Sequence, residues 1–233
     1  MPSSDWIAFW DTKHPIYVNK RHEAAHFRRI AQDIARYAPE GGHGVMLDYG
    51  CGEALAADLV AEDLARLILS EPAPNVRATL AGRFAGNSRI VVRKPEDVAT
   101  MPAHSLDVIV MHSVLQYLSA SDLDALLTLF YRLLKPGGLF VLGDVIPRKV
   151  SALGDALALL RFGRQEGFAG AALCGLVRTR FSSYWRLRKS VGLARYDDAE
   201  ITAKLEAAGF TVERARSNIG HNNKRMTFLA RTR

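Results

Sequence analysis

The chain has 233 residues, which suits one domain with a large insertion or one and a half domains, and 48% of them are hydrophobic, enough for a substantial core. No stretch reaches the roughly 18 apolar residues of a membrane span, and two cysteines, Cys51 and Cys174, exclude a disulfide framework or a paired zinc spacing. The net charge of +7 is uneven: residues Arg148 to Arg195 hold ten lysines and arginines against Asp155 and Glu166, a net of +8, and leave the rest near neutral.

In chain order, Asp5 to Val18 is aromatic and irregular, with Trp6, Phe9, Trp10 and Tyr17. Met1 to Asp11 shows no basic region followed by an apolar core, so a cytoplasmic protein is expected. Lys20 to Tyr37 predicts a helix with Phe27, Ile30, Ile34 and Tyr37 on one face. His22 and His26 lie four apart on that helix, but no carboxylate or cysteine pattern completes a metal site. Val45 to Leu47 predicts a buried strand, and Gly50 and Gly52 then permit backbone conformations and approaches that a Cβ would block. A helix pattern follows, with Leu55, Leu59, Leu64 and Leu67 among alanines. Strand, glycine turn and helix build a ligand site at the carboxyl edge of a sheet. Asp48, just before the turn, suits a cationic or hydroxyl-rich group better than a pyrophosphate.

Arg66 to Ser70 predicts the second strand, stopped by Pro72 and Pro74. It ends at Glu71, placed to accept hydrogen bonds from ribose hydroxyls. Short strands are predicted at Arg89 to Val92 and Val108 to Met111, and a periodic helix at Leu123 to Leu134. Lys135-Pro136-Gly137-Gly138 then turns the chain into a fifth strand, Leu139 to Leu142. Near the end, Gly209 to Glu213 and Arg225 to Ala230 read as the sixth and seventh strands.

Asp48-x-Gly50-x-Gly52-x-Ala54 resembles the first motif of the class I S-adenosylmethionine-dependent methyltransferases, with Ala54 where a third glycine is usual. Glu96-Asp97 before Met101-Pro102, Leu106-Asp107 opening the fourth strand, and the Lys-Pro-Gly-Gly turn resemble later landmarks of that family in the right order. The resemblance implies an α/β, Rossmann-like seven-stranded mixed sheet with a helical insertion after the fifth strand, its last strand antiparallel to its neighbours. It divides the chain into an arm and helix over the cofactor (1–38), a methyltransferase core (39–147), a basic insertion or lid (148–196) and the end of the sheet (197–233).

The cofactor implied is S-adenosylmethionine. The resemblance gives its contacts to Asp48, Gly50, Cys51, Gly52 and Glu71, with Asp97 and the adjoining Val98 at the adenine. Cys51 reads as a packed small side chain within the turn. Tyr17 and Arg21, on the leading arm, would meet the cofactor carboxylate, whereas Trp6 and Trp10 are expected only to pack. His112, which ends the fourth strand, would line the cofactor and is the first candidate for a general base, with Asp144 after the fifth strand the second. Tyr117 would line the acceptor pocket. His221 belongs to the turn Asn218 to Lys224, which must lie at the same sheet edge as Gly50.

The acceptor implied is a small or amphiphilic molecule. Three meanings fit the basic insertion: a solvated lid or dimer surface, peripheral contact of residues 148–195 with an acidic substrate or anionic membrane, or a nucleic-acid groove, the last disfavoured because no RNA-binding module accompanies it. Two other functions keep the fold: a non-catalytic cofactor-binding scaffold, and an RNA methyltransferase using the basic segment. A nicotinamide-dependent reductase would need glycine at Leu55.

Overall fold

The structure, a computed structural model, describes residues 4–12, 17–149, 152–173 and 193–233. Arg178, Arg180, Phe181, Tyr184, Trp185, Arg186, Leu187 and Arg188 of the basic insertion, with His14 and Cys174, lie outside the described residues.

Seven strands form one sheet: β1 (Val45–Tyr49), β2 (Arg66–Ser70), β3 (Ile90–Arg93), β4 (Leu106–His112), β5 (Leu134–Val145), β6 (Thr211–Arg214) and β7 (Met226–Arg231), in the order β3-β2-β1-β4-β5-β7-β6. The first five pair in parallel, and β7 runs antiparallel between β5 and β6. The central strands carry apolar side chains on both faces because helices cover both. Successive residues of β1 show it: Met46 packs into one core with Leu67, Leu69, Val110 and Val141, and Leu47 into the other with Ile109, Met111, Phe130 and Phe140. The chain order changes direction between β1 and β4, and a parallel sheet opens a crevice at such a point beyond its carboxyl edge.

The helices are α1 (Ser4–Trp10), α2 (Lys20–Ala35), α3 (Ala57–Ala61), α4 (Pro74–Arg83), α5 (Pro95–Ala99), α6 (Ala120–Leu133), α7 (Ala152–Gln165) and α8 (Asp198–Ala207). Helix α6 begins in a reciprocal cap, Asp122 N–H donating to Ser119 Oγ (3.1 Å) and Ser119 N–H to Asp122 Oδ2 (3.3 Å). It buries Leu123, Leu127 and Phe130 at helical spacing. In α2, Asn19 accepts from the His22 N–H at 2.8 Å. Farther along, buried Asp33 accepts from the Gly220 N–H at 3.0 Å and so ties α2 to the turn between β6 and β7.

Two expectations are corrected. The helix predicted from Leu55 to Leu67 spans only Ala57–Ala61. The glycine turn runs on through Ala54, which sits at φ 40°, and Leu67 belongs to β2, where it pairs with Met46. The Lys135–Gly138 segment does not separate α6 from a later strand. It is a bulge within β5: Leu106 pairs with Leu134, yet Val108 pairs with Leu139. Gly137 takes φ 75°, and a Cβ on Gly138 would meet the Lys135 carbonyl at 2.8 Å. Asp107 anchors the start of three strands, accepting from Val45 N–H (2.8 Å) and Lys135 Nζ (2.7 Å).

Candidate active site

A cavity of about 480 Å³ opens at the carboxyl edge of β1, β2, β4 and β5 and is covered by α1, α2, α7 and the β6–β7 turn. At one end lies the glycine turn. Gly50 (φ 74°) donates its N–H to the Ser70 carbonyl at 2.7 Å. A Cβ there would collide with Val114, so only glycine fits. Gly52 (φ 59°) donates to Glu71 Oε2 at 2.9 Å, and Ala73 N–H donates to Glu71 Oε1 at 2.8 Å. Each Glu71 oxygen thus keeps a lone pair free, on a carboxylate held rigidly by backbone. Burial raises its pKa despite those two bonds. Asp48 also lines the cavity, and burial, reinforced by the nearby Glu71 charge, pushes it up to about 7. Such a carboxyl ionises readily once a cationic group arrives. Burial pushes the Cys51 thiol well up, so it stays a neutral packed side chain.

The other end is built from imidazoles and a polar network. His22, His26, His112 and His221 all line the cavity. Burial lowers each: His22 to about 4, His26 to about 3, and His112 and His221 below their ordinary value. All are therefore neutral near pH 7. Val18 N–H donates to His22 Nδ1 (3.3 Å), which leaves the proton of that neutral ring on Nε2. The His112 Nδ1 is buried without a hydrogen-bond partner, against the backbone of Gly143. Ser113 Oγ donates to Asp144 Oδ2 at 2.8 Å, and the Asp144 N–H donates to Asn218 Oδ1 at 3.1 Å. Arg225 pairs with Asp155 at 3.0 Å and lies 3.9 Å from Asp144.

Backbone strain concentrates here. Among the described residues the non-glycine positions with positive φ are Ala54 (40°), His104 (55°), Ser113 (58°) and Asp144 (60°), and all but His104 line the cavity. A side chain in that region costs about 1 kcal/mol or more, so these sites hold conformations that the surrounding fold imposes.

The cavity brings together Tyr17, Asp48, Gly50, Cys51, Gly52, Glu71, His112, Tyr117, Asp144 and His221 of the sequence-derived set. Three others lie elsewhere. Arg21 is exposed, its guanidinium beside Gly167, because its position on α2 turns it away from the cavity. Asp97 sits in the first turn of α5, where it accepts from Lys94 N–H (3.4 Å), and lines a separate shallow pocket with Arg77 and Arg93. The Val98 side chain is fully buried in the core beneath. Trp6 and Trp10 do more than pack on each other's neighbours: both line the cavity, where Trp6 stacks on Tyr117 at 5.5 Å. Sequence reasoning missed Ser113, Gln116, Asp155 and Arg225, which also line it. Ser113 follows His112 directly and could have been found from strand-end position. Asp155 and Arg225 meet across 70 residues, and no local pattern signals that pair.

Residues 47–142 match the methyltransferase-domain family. Comparison with curated proteins gives no match. Among solved structures, the chain resembles one from a Haloferax volcanii complex between the Trm112 methyltransferase activator and its methyltransferase, with TM-score 0.61, 16% identity, and 98% of this chain and 96% of that chain covered. It also resembles the mitomycin 7-O-methyltransferase MmcR (TM-score 0.60, 19% identity, 88% and 54% covered). A third likeness is the Haemonchus contortus phosphoethanolamine N-methyltransferase 2, solved with phosphomonomethylethanolamine and S-adenosylhomocysteine (TM-score 0.56, 17% identity, 81% and 38% covered). At these identities the three are likenesses of fold.

Proposed function

We propose, from the match of residues 47–142 to the methyltransferase-domain family, that this chain is a class I S-adenosylmethionine-dependent methyltransferase and methylates a small or amphiphilic acceptor held among the histidines of the large cavity. The observation that carries the reading is the continuity of that cavity. The Asp48, Gly50, Gly52 and Glu71 end and the His112 and Asp144 end line one continuous cavity.

The residues present fit the cofactor. The Asp48 side chain has no hydrogen-bond or ion-pair partner among the described residues, lines the cavity, and is suited to an ammonium group. Glu71, with its oxygens pre-set by Gly52 and Ala73, is suited to a ribose diol. Gly50 and Gly52 let the backbone approach closely. When bound, S-adenosylmethionine supplies a methyl group already activated by its sulfonium.

The chain's own task is to hold the acceptor in line and exclude water. Trp6, Trp10 and Tyr17 of the amino-terminal segment line the cavity together with Tyr117, on which Trp6 stacks. His112 is neutral through burial, so it can take a proton from a hydroxyl or protonated nitrogen. Asp144, held by Ser113 and the Asn218 amide, orients that donor. His112→Gln should then lower kcat by about 10²-fold or more while leaving S-adenosylhomocysteine affinity within about threefold. The test is calorimetric titration with S-adenosylmethionine, S-adenosylhomocysteine and NADH, followed by transfer of labelled methyl groups to an acceptor panel. Binding of the first two alone with turnover supports the reading. Binding without turnover of any amphiphilic or small acceptor would favour a scaffold, and binding of NADH would overturn the assignment.

A further inference from the structure

Helix α7 carries two stripes of opposite character. Asp155, Leu159 and Phe162 follow helical spacing on one side. Asp155 and Leu159 line the cavity, and Phe162 stacks on His221 at 4.6 Å and packs with Phe168 and Ala172. Leu157, Arg161 and Arg164 follow the same spacing two residues out of phase, on the opposite side. There Leu157 is 45% exposed, and Arg161 and Arg164 are exposed, with no ion-pair partner among the described residues. Among the described residues, the exposed large hydrophobic side chains are Leu157 and, just beyond this helix, Leu173 at 59%. Both fall in the insertion, which carries a net charge of +8 against a near-neutral remainder. Arg148, at its start, is paired with Glu200, whereas Arg161 and Arg164 have no ion-pair partner among the described residues.

Exposed leucines flanked by unpaired arginines make little sense against water and much against an anionic bilayer, where the leucines bury in the acyl boundary and the arginines meet headgroups. A second copy of this chain would bring the same arginines face to face, which charge repulsion opposes. We propose that the outer face of α7, Leu157, Arg161 and Arg164, together with exposed Leu173 of the segment that follows, docks peripherally on an anionic lipid surface. The cavity wall on its inner face is thereby placed against the membrane, and the acceptor reaches the site from the lipid as an amphiphile. The inference rests on the methyltransferase reading for what the cavity does, but not for whether α7 binds lipid. Among the described residues no helix is long and apolar enough to cross a membrane, so the contact is a surface one.

The test is co-sedimentation of the full chain with vesicles of phosphatidylcholine, with and without phosphatidylglycerol. Wild type is expected to bind the anionic vesicles and not the neutral ones. Arg161→Gln with Arg164→Gln should weaken partitioning about 30-fold, at roughly fivefold per basic residue. Leu157→Glu with Leu173→Glu should abolish it. Unchanged melting temperature and unchanged S-adenosylhomocysteine affinity in each variant keep a folding failure distinct from lost docking. Failure of wild type to bind anionic vesicles, or equal binding by the variants, overturns the proposal. So does a wild-type dimer that Leu157→Glu converts to monomer without vesicles, because the face would then be a contact between copies. Lost cofactor binding in wild type would instead refute the transferase reading while leaving the vesicle result standing.

Discussion

Cofactor affinity should depend on pH through Asp48. Its carboxyl is pushed up to about 7 by burial and by Glu71, and only the ionised form attracts the ammonium group of the ligand. At pH 8 roughly nine in ten of these carboxyls are ionised, and at pH 6 roughly one in ten, so binding at pH 6 must first remove a proton. That costs about 1.4 kcal/mol, and S-adenosylhomocysteine should bind about tenfold more weakly at pH 6 than at pH 8. Burial lowers His22 to about 4 and His26 to about 3, so these two stay neutral across this window and add no compensating slope. Because the carboxyl pKa is raised on folding, the ligand-free protein holds a proton that the unfolded chain has lost between about pH 4 and 7, and its stability falls as pH rises through that range. Calorimetry in two buffers of different ionisation enthalpy should show nearly one proton released per ligand at pH 6 and almost none at pH 8. Asp48→Asn should flatten the profile and weaken binding at pH 8 by at least about 1.5 kcal/mol, as for a lost bond to a charged group. An affinity constant from pH 6 to 8, or the same slope in the variant, would refute the reasoning.

Other expectations test the backbone around the site. Ala54 occupies φ 40°, where glycine carries no Cβ penalty, so Ala54→Gly should stabilise the chain by up to about 1 kcal/mol and raise the melting temperature by roughly 2–4 °C. A fall would mean that the Ala54 methyl makes a packing contribution larger than the strain. Gly50→Ala should lose S-adenosylhomocysteine affinity because its methyl meets Val114, and adding Val114→Ala should restore part of it. Equal loss in the single and double variants would trace the effect to φ rather than to the collision. Asn218→Ala should lower the melting temperature by removing the acceptor shared by the Asp144 N–H and the Thr227 hydroxyl, a loss of about 1–3 kcal/mol for buried groups left unpaired. A stability unchanged within about 0.5 kcal/mol would show that those groups find other partners.

The sequence by itself determined where the strands fall along the chain and where the glycine turn follows the first of them. Apolar runs punctuated by glycine and proline are local signals: Val45 to Gly52 dictates strand then turn whatever its surroundings, and Glu71 is set by the end of the next strand. Arg21 and Asp97 show the limit of that reasoning. One was placed by its position on the leading arm and the other by the Met101-Pro102 pair after it, but the rotation of α2 and the capping of α5 decide where their side chains go, and rotation is fixed by packing. Similarly, the leucine and alanine pattern after Gly52 is helical in composition, yet the helix is confined to Ala57–Ala61 because the glycine turn runs on through Ala54. The acceptor end was least legible. Ser113 with Asp144, and Asp155 with Arg225, meet only because parallel strands and a distant turn converge at one edge. Positive φ at Ser113 and Asp144 carries no sequence signature, since neither residue is glycine. Local chemistry sets which conformations a segment prefers. Which distant polar groups share a cavity, and how far burial shifts them, is decided by tertiary structure, because both depend on what the fold places around them.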